Sequence, residues 1–286
     1  MPLLVEHVTH IFSSGLPDEA TAVHDVSLEI ADGEWLGIIG HTGSGKSTLI
    51  QHFNGLLQPT SGRVVVNGVD LAAKKTRKAV RKQVGMVFQY PEYQLFEETV
   101  EKDIAFGPKN MGISDPKALQ ACVQRAMEQV GLSYDDIAQQ SPFELSGGQK
   151  RRVALAGILA MEPSILVLDE PMAGLDPKGR KEILHYLKEF HRSGMTIVMV
   201  SHSMDDIAEL TDRVVVMNAG KNIMTGTPGE IFAQWETLFS IGLDIPQAAR
   251  IAHALRGRGF PVPEDIYKMD ALTQWIIAQK GGKSIE

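Results

Sequence analysis

The sequence contains a single cysteine, Cys122, among its 286 residues. An intrachain disulfide is therefore impossible, which is typical of proteins from a reducing compartment. Cys122 lies on a helically spaced apolar stripe that runs from Leu119 to Val130, so we expect it in the core. No apolar run approaches the roughly 18 residues that a membrane-spanning helix requires. We therefore expect any role in a membrane process to depend on docking onto another protein.

The sequence also lacks an excess of basic residues. Its formal net charge is −7 and its pI is about 5.7. This balance argues against a protein that binds nucleic acid or anionic lipid. There is no internal repeat and no low-complexity segment. An apolar content of 43% over this length supports a full hydrophobic core in one main domain, with room for a smaller one.

The run from Gly40 to Ser47 matches the phosphate-binding loop pattern Gly-x4-Gly-Lys-Ser/Thr. It lies between the apolar stretch 35–39 and a helical-looking segment, which is the strand–loop–helix context that such a loop requires. Glycines let backbone N–H groups approach phosphate oxygens, and the helix N-terminus adds a favourable dipole. We therefore predict that a nucleoside triphosphate is bound by Gly40, His41, Thr42, Gly43, Ser44, Gly45, Lys46, Ser47 and Thr48.

Two side chains of this loop have specific chemistry. Lys46 would supply a positive charge to the β- and γ-phosphates, and the hydroxyl of Ser47 would ligate Mg2+. A glycine-rich turn without a ligand is the simpler interpretation. The strand that precedes the loop argues against it, because an ordinary turn has no need of that context.

Strand patterns and helix patterns alternate along most of the chain. Strands are predicted at 3–8, 22–30, 35–39, 63–66, 84–88, 165–168 and 196–200. The stretch 92–162 has helical periodicity, and an amphipathic helix is predicted at 178–192. The alternation indicates an α/β domain with a mostly parallel sheet, interrupted by a helical subdomain at about 92–162.

Two carboxylates, Asp169 and Glu170, follow the apolar run 165–168. In an open α/β sheet, ligands bind beyond the carboxyl ends of the strands. Asp169 can therefore hold Mg2+ opposite Ser47, and Glu170 can polarise the water that attacks the γ-phosphate. Such a pair is weak evidence alone, but a phosphate loop about 120 residues earlier makes it strong.

A second glycine-containing segment, Leu145–Gln149, opens a predicted helix. Ser146 can cap that helix, and the glycines leave backbone N–H groups open to an anion. Two interpretations remain at this point: a capped helix with a flexible entry, or a second phosphate-binding edge. The second would imply a head-to-tail dimer in which each copy completes the other's site.

These motifs together resemble the ATP-binding-cassette ATPases, and the resemblance covers residues 3–232. It implies an ABC-type nucleotide-binding domain with a P-loop core, an N-terminal antiparallel β subdomain and a helical subdomain. It also implies ATP and Mg2+ as ligands. In this family the nucleotide is held between the phosphate loop of one chain and the signature segment of the other, here Ser146, Gly147, Gly148 and Gln149.

The resemblance assigns roles to further residues. Gln89 matches the Q-loop glutamine, which contacts Mg2+ and water. Asp176 closes a D-loop at the dimer interface, and His202 matches the switch histidine near the γ-phosphate. Phe12 matches the aromatic that stacks on adenine. The predicted catalytic residues are thus Glu170, His202 and Lys46, and the predicted metal-binding residues are Ser47, Gln89 and Asp169.

Three segments resemble the energy-coupling-factor transporter ATPases in particular. Within that family the chain looks most like the second of the two paralogous subunits. The three segments are residues 89–112, the sequence around Arg151 and Arg152, and a tail of about fifty residues. The resemblance implies a second ATPase subunit, a paralogue, and a transmembrane coupling subunit. Exchangeable membrane subunits that capture vitamins or metal ions would be indirect partners, and no nucleic acid is expected.

The segment 90–112 is predicted to dock the transmembrane subunit through a socket of Tyr90, Tyr93, Leu95 and Phe96. We expect a cassette at 1–234, a helical C-terminal extension at 235–286 that contacts the dimer partner, and a peripheral location on the cytoplasmic face of the cell membrane. The extension has helical patterns at 246–256 and 263–279, and it can equally pack on its own domain. Other functions to consider are the homodimeric ATPase of a dedicated cobalt or nickel importer, or a cassette ATPase outside transport.

Overall fold

A computed structural model describes residues 2–281. Ten strands are described: β1 (Leu3–Phe12), β2 (Ala20–Ile30), β3 (Trp35–Ile39), β4 (Ser61–Val66), β5 (Val69–Asp70), β6 (Val84–Val87), β7 (Ile165–Asp169), β8 (Thr196–Val200), β9 (Arg213–Asn218) and β10 (Lys221–Gly226). They form two sheets. The first is antiparallel, in the order β2-β1-β4-β5, and the second has the order β10-β9-β3-β8-β7-β6.

Twelve α-helices are described in the same range: α1 (Lys46–Phe53), α2 (Lys74–Gln83), α3 (Val100–Asn110), α4 (Pro116–Gln129), α5 (Tyr134–Ile137), α6 (Gly147–Leu159), α7 (Pro177–Arg192), α8 (Met204–Leu210), α9 (Pro228–Ala233), α10 (Trp235–Ser240), α11 (Gln247–Arg256) and α12 (Met269–Gly281). Short 3-10 turns lie at Pro91–Gln94 and Pro142–Glu144. No helix among the described residues is both long enough and apolar enough to cross a bilayer.

The second sheet is built on parallel strands that are buried on both faces. All five residues of β3 and of β8 are buried, and apart from Thr196 at the start of β8 they are apolar or glycine, as expected for strands covered on both faces. β3 pairs in parallel with β8 and β9, and β7 pairs in parallel with β6 and β8. Only β10 runs antiparallel, beside β9. The predicted α/β class, with an N-terminal antiparallel sheet and a helical block, is confirmed.

Two large apolar cores lie on the two sides of this sheet. One packs the sheet against α1 and the antiparallel strands, with Phe53 and Ile38 fully buried. The other packs it against the helices of the block 92–162, with Ile104 and Met127 fully buried. Burial of this kind contributes about 25 cal/mol for each Å2 of apolar surface, so the two cores fix the sheet in place.

Most predicted elements agree with the structure to within two residues, and two differ by four or more at one end. β1 continues to Phe12 instead of ending at Val8, because irregular pairing with β2 between Val5 and His10 breaks the alternation that marks a strand in the sequence. The second helix of the tail starts at Met269 instead of Pro263. Val262 and Ile266 are buried in a small core with Leu272, which holds the preceding segment in a non-helical path.

The predicted tail, 235–286, does not pack as an isolated unit over its described part. Leu238, Leu243 and Ile245 belong to the large core on the helical side. Only α11, α12 and the segment between them share the separate small core around Leu272. Residues 282–286, and Met1 at the other end, lie outside the described residues. The boundaries at 234 and 235 remain a prediction.

Candidate nucleotide site

The strand order of the parallel sheet places four sequence motifs side by side. The phosphate loop follows β3, His202 follows β8, the Asp169–Glu170 pair ends β7, and Gln89 follows β6. Because β3, β8, β7 and β6 are consecutive neighbours and parallel, their carboxyl ends meet along one edge. Residues that lie more than 100 positions apart in the sequence therefore meet in one cleft.

Two glycines of the phosphate loop are required by close backbone approaches. A Cβ at Gly40 would lie 2.4 Å from the carbonyl oxygen of Met217. A Cβ at Gly45, whose φ is +97°, would lie 2.2 Å from the carbonyl oxygen of Ala22. Side chains at either position would push the loop away from β9 or β2, so these glycines set its path.

Lys46 begins α1 and is 5% exposed. Its Nζ donates to the carbonyl oxygens of Gly40, at 2.6 Å, and of His41, at 3.0 Å. No side chain caps the N-terminus of α1, so the N–H groups of its first turn are available to an anion. Burial lowers the pKa of Lys46, while Glu170 and Asp169 favour its charged form. The ammonium and the open helix end together suit phosphate oxygens.

Asp169 ends β7 and faces the phosphate loop. The hydroxyl of Ser47 donates to its carboxylate, and burial raises the pKa of Asp169 above its ordinary value. A hydroxyl beside a carboxylate is an oxygen donor set of the kind that Mg2+ prefers. No group of three or more His, Cys, Asp or Glu side chains within the described part of the chain could hold a metal ion. A magnesium ion here would therefore complete its ligand set with oxygens from outside these side chains, from water or from a bound phosphate.

Glu170 adopts a strained backbone conformation with φ of +51°. The left-handed region costs a non-glycine residue about 1–2 kcal/mol. The carboxylate Oε1 is buried and lies 3.3 Å from Nε2 of His202. Burial raises the pKa of Glu170 from 4.5 to about 7, against the lowering effect of a backbone hydrogen bond from His202. A carboxylate with such a pKa can exchange a proton with water near neutrality.

His202 lies at the mouth of the cleft, with half of its side chain exposed. Burial of its inner part lowers its pKa, and the positive charge of Lys46 lowers it further. Both effects favour the neutral imidazole, which can donate one hydrogen bond. Glu170 and His202 are thus in contact, although they follow different strands and lie 32 positions apart in the sequence.

The cleft formed by these elements has a volume of about 480 Å3. Of the predicted residues, it is lined by Thr42, Gly43, Ser44, Gly45, Lys46, Ser47, Thr48, Gln89, Asp169, Glu170 and His202. Gly40 and His41 do not line it, and their carbonyl groups instead hold Lys46. Phe12 also lies outside the lining. It is exposed at the end of β1 and packs edge-on against His10, so its contact with adenine remains a prediction.

The signature residues and Asp176 lie in a second cleft of about 450 Å3, which shares no lining residue with the first. Ser146 and Gln149 form a complete capping box at the start of α6. Nothing lies within 4 Å of a Cβ built at Gly147 or Gly148, so these glycines present an open backbone surface. Asp176 caps α7 beside them.

Sequence reasoning missed two features of this region. Ala22 and Val200 line the first cleft, but apolar strand residues give no signal of such a role. Arg151 is 5% exposed, and it donates to the carbonyl oxygens of Gln89 and Ala173. In the sequence it is one of three consecutive basic residues, a pattern that usually marks a solvated helix face.

An aromatic surface lies beyond the first cleft. We define it as Tyr90, Tyr93, Phe96 and Phe106, whose exposed fractions are 44%, 83%, 57% and 45%. Phe96 and Phe106 pack edge to face, with ring centroids 4.9 Å apart. Leu95, which we expected to contribute to this socket, is buried in the core on the helical side.

Sequence comparison shows what the chain is similar to. The profile of the ABC transporter family matches residues 23–173. The energy-coupling factor transporter ATP-binding protein EcfA2 of Symbiobacterium thermophilum is 56% identical over 99% of both chains. The protein of the same name from Clostridium perfringens is 54% identical over 97% of this chain and 98% of its own.

Comparison with solved structures finds chains of similar fold. The structure of cbiO1 from Clostridium perfringens, part of the ABC transporter complex cbiONQ, has a TM-score of 0.73 and 37% identity. It covers 89% of this chain and 98% of its own. The cassette MJ0796, solved as a dimer in a post-hydrolysis state with ADP and Pi, has a TM-score of 0.70 and 27% identity. That match covers 79% of this chain and 98% of the other.

The raised pKa of Glu170 predicts a pH-dependent effect of Glu170→Gln on stability. The folded state binds this proton more tightly than the unfolded state, so wild-type stability falls as pH rises from 4.5 to about 7. Glutamine does not ionise, so the variant does not lose this part of the free energy of unfolding as the pH rises. We expect the variant to gain roughly 2 kcal/mol relative to wild type between about pH 5.5 and about pH 8.

This gain is measured by urea unfolding without nucleotide and with a chelator. Glu236→Gln, at an exposed position on α10, is the matched control and should show no such gain. An equal pH dependence in both variants would contradict the burial effect at Glu170.

Proposed function

The chain belongs to the ABC transporter family and, within it, to the energy-coupling factor transporter ATP-binding proteins, and from this membership we propose that it works as one half of a pair of cassettes. It is the ATP-hydrolysing subunit of such a transporter. In the proposed arrangement each ATP lies between the phosphate loop of one chain and the signature of the other. In the assembled transporter the other chain is a paralogue.

The observation that carries this proposal is the separation of the two clefts. The phosphate loop, Asp169 and Glu170 line one cleft, and Ser146 and Gly148 line the other, without a shared residue. Both surfaces suit phosphate, since each has an open helix start or an exposed glycine backbone. Two chains placed head to tail would complete two sites, whereas one chain alone would leave the signature without a ligand.

We assign the chemistry of hydrolysis to three side chains. The buried carboxylate of Glu170 orients the attacking water and, with its pKa of about 7, can take its proton. Lys46 stabilises negative charge on the β- and γ-phosphates in a site of low dielectric. His202, which contacts Glu170, donates a hydrogen bond to the γ-phosphate.

Ser47, Gln89 and Asp169 would hold the magnesium ion. All three line the same cleft, and Ser47 already contacts Asp169. When bound, the ion neutralises charge on the phosphate oxygens. Ser47 and Asp169 would hold it beside the loop, because the hydroxyl lies in the first turn of α1 and the carboxylate ends a buried strand.

The variant Glu170→Gln tests the role of this carboxylate. We expect turnover to fall by about 100-fold or more, because the amide cannot take a proton from water. Binding of ATP, measured by fluorescence titration, should change by less than about threefold, since the loop and Lys46 are intact. Glu209→Gln, at an exposed position on α8, is the control. Unchanged hydrolysis in Glu170→Gln would reject the assignment.

Mixing two inactive variants tests the shared site. Two copies of this chain present the same complementary surfaces and can form a head-to-tail pair. In a pair of identical variants both sites carry the same defect, so Lys46→Ala and Gly148→Arg should each be inactive alone. A mixed pair contains one intact site, and random pairing therefore restores about a quarter of wild-type activity in an equimolar mixture. Because Gly148 faces open space, the arginine should not disturb the fold. The proposal predicts ATP binding by Gly148→Arg alone. Under conditions in which the wild-type chain hydrolyses ATP without its paralogue, a mixture without activity would contradict pairing of this kind.

We further propose that the aromatic surface docks a helix of a transmembrane coupling subunit. Exposed aromatic side chains on a polar protein mark an interaction site. A groove of about 560 Å3 between α3 and α4 continues from Phe106 and includes Leu119. An apolar helix face fits such a groove. Docking would hold the chain at the cytoplasmic face of the membrane, where the membrane subunits select the cargo.

The double variant Tyr93→Ala/Phe96→Ala tests this surface. We expect it to lose retention on membranes that contain the transporter, while ATP binding by the isolated chain stays within about twofold of wild type. Retention is measured by flotation. Ile223→Ala, an exposed apolar residue on β10, is the control and should float with the membranes. Equal retention of all three proteins would place the docking site elsewhere.

A further inference from the structure

Arg151 is a buried cation that no step of the proposed hydrolysis uses. It lies on α6, about one turn after the capping residue Ser146, and is 5% exposed. Its Nη1 donates to the carbonyl oxygen of Ala173 and its Nη2 to that of Gln89, both at 2.8 Å. Its Nε lies 4.0 Å from Oε2 of Glu92. One guanidinium thus contacts three segments outside its own helix.

Each of these segments has a different place in the molecule. Gln89 follows β6 and lines the nucleotide cleft. Ala173 lies in the turn between Glu170 and Asp176, and its N–H donates to the carbonyl oxygen of Glu170. Glu92 lies in the 3-10 turn that leads to the aromatic surface. Arg151 therefore joins the signature helix to the nucleotide cleft, the D-loop turn and the start of the docking segment.

The chemistry of arginine suits this junction. A planar guanidinium can donate to two carbonyl groups at once, whereas a lysine ammonium has no comparable fork. Oε2 of Glu92 is buried and has no hydrogen-bond partner, so Arg151 is the cation placed to balance it. Removal of the guanidinium would free two backbone carbonyls and leave a half-buried carboxylate without compensation. The segments would then be free to move relative to α6.

We propose that Arg151 is a positioning residue that fixes Gln89 and the D-loop turn to the signature helix. The inference rests on the proposed function, because it takes Gln89 and Glu170 to act on the nucleotide. A displacement of α6, caused by the second cassette or by a docked membrane subunit, is passed through the guanidinium to the carbonyl of Gln89. Among the described residues, the hydrogen bonds and the ion pair of Arg151 go to Ala173, Gln89 and Glu92 and not to the loop before Lys46, so we do not include that loop in this connection.

The test compares Arg151→Met and Arg151→Lys with Arg213→Met in the full chain, with Mg–ATP. Arg213 is a matched control, since it also donates to a backbone carbonyl, that of Glu29, and to the carboxylate of Glu34. We expect kcat of Arg151→Met to fall by at least about tenfold through misplacement of reacting groups. Its ATP dissociation constant should change by less than about threefold, and Arg151→Lys should be intermediate.

Two further measurements distinguish positioning from a general loss of stability. Amide hydrogen exchange should rise at 84–92 and 171–176 in Arg151→Met, with no change at 40–48. In a double-mutant cycle, Gln89→Ala should lower kcat much less in the Arg151→Met background than in wild type, because both changes disable the same group. Arg213→Met should lose stability without this pattern.

The inference is overturned if folded Arg151→Met keeps wild-type kcat. It is also overturned if Gln89→Ala lowers kcat by the same factor in the Arg151→Met background as in wild type, because the two effects would then be independent. It is also overturned if Arg151→Met and Arg213→Met lose kcat and stability in parallel. Where Arg151→Met does not fold, Arg151→Lys decides by the same criteria. A wild-type chain that binds Mg–ATP but never hydrolyses it, alone or with its paralogue, would instead remove the proposed function.

Discussion

Parallel pairing of β3, β8, β7 and β6 is the constraint on which the rest of the site depends. Each strand ends in a residue or loop with polar chemistry, and the hydrogen-bond register places those ends at one level. Val200 pairs with both Ile38 and Asp169, so the phosphate loop and the carboxylates lie on either side of β8. A one-residue slip of β7 would turn Asp169 to the other face of the sheet and separate it from Ser47.

In the proposed pair of cassettes this sheet edge supplies one surface of each nucleotide site, and the signature helix of the helical block supplies the other. The signature helix presents Gly148 to open space, although glycines at a helix start weaken the helix. The capping box of Ser146 and Gln149 offsets that cost. In the proposed pair of cassettes, this capped helix with its bare first turn would receive the phosphate that the other chain holds. Arg151 would then be the physical link between the two halves within one chain.

Much of this could be predicted from the sequence, where chemistry and local pattern coincide. The phosphate loop and Asp169 follow apolar runs that read as buried strands, and Ser146 precedes a helix that it does cap. What could not be predicted depends on contacts between distant segments. Arg151 is indistinguishable from its basic neighbours until Gln89 and Ala173 are placed around it. The burial of Leu95 likewise follows from packing against the helical core, not from its aromatic neighbours.

The left-handed backbone of Glu170 has a consequence for anyone who would engineer this protein. Glycine would relieve the strain at that position, and loss of the buried carboxyl would relieve a second cost, so selection for heat resistance alone would favour its replacement. The fold would become more stable and would lose the carboxylate to which we assign the orientation of the attacking water. Thermostability screens on this scaffold should therefore keep Glu170 unchanged, because its proposed role in turnover would be lost with any substitution that removes this strain.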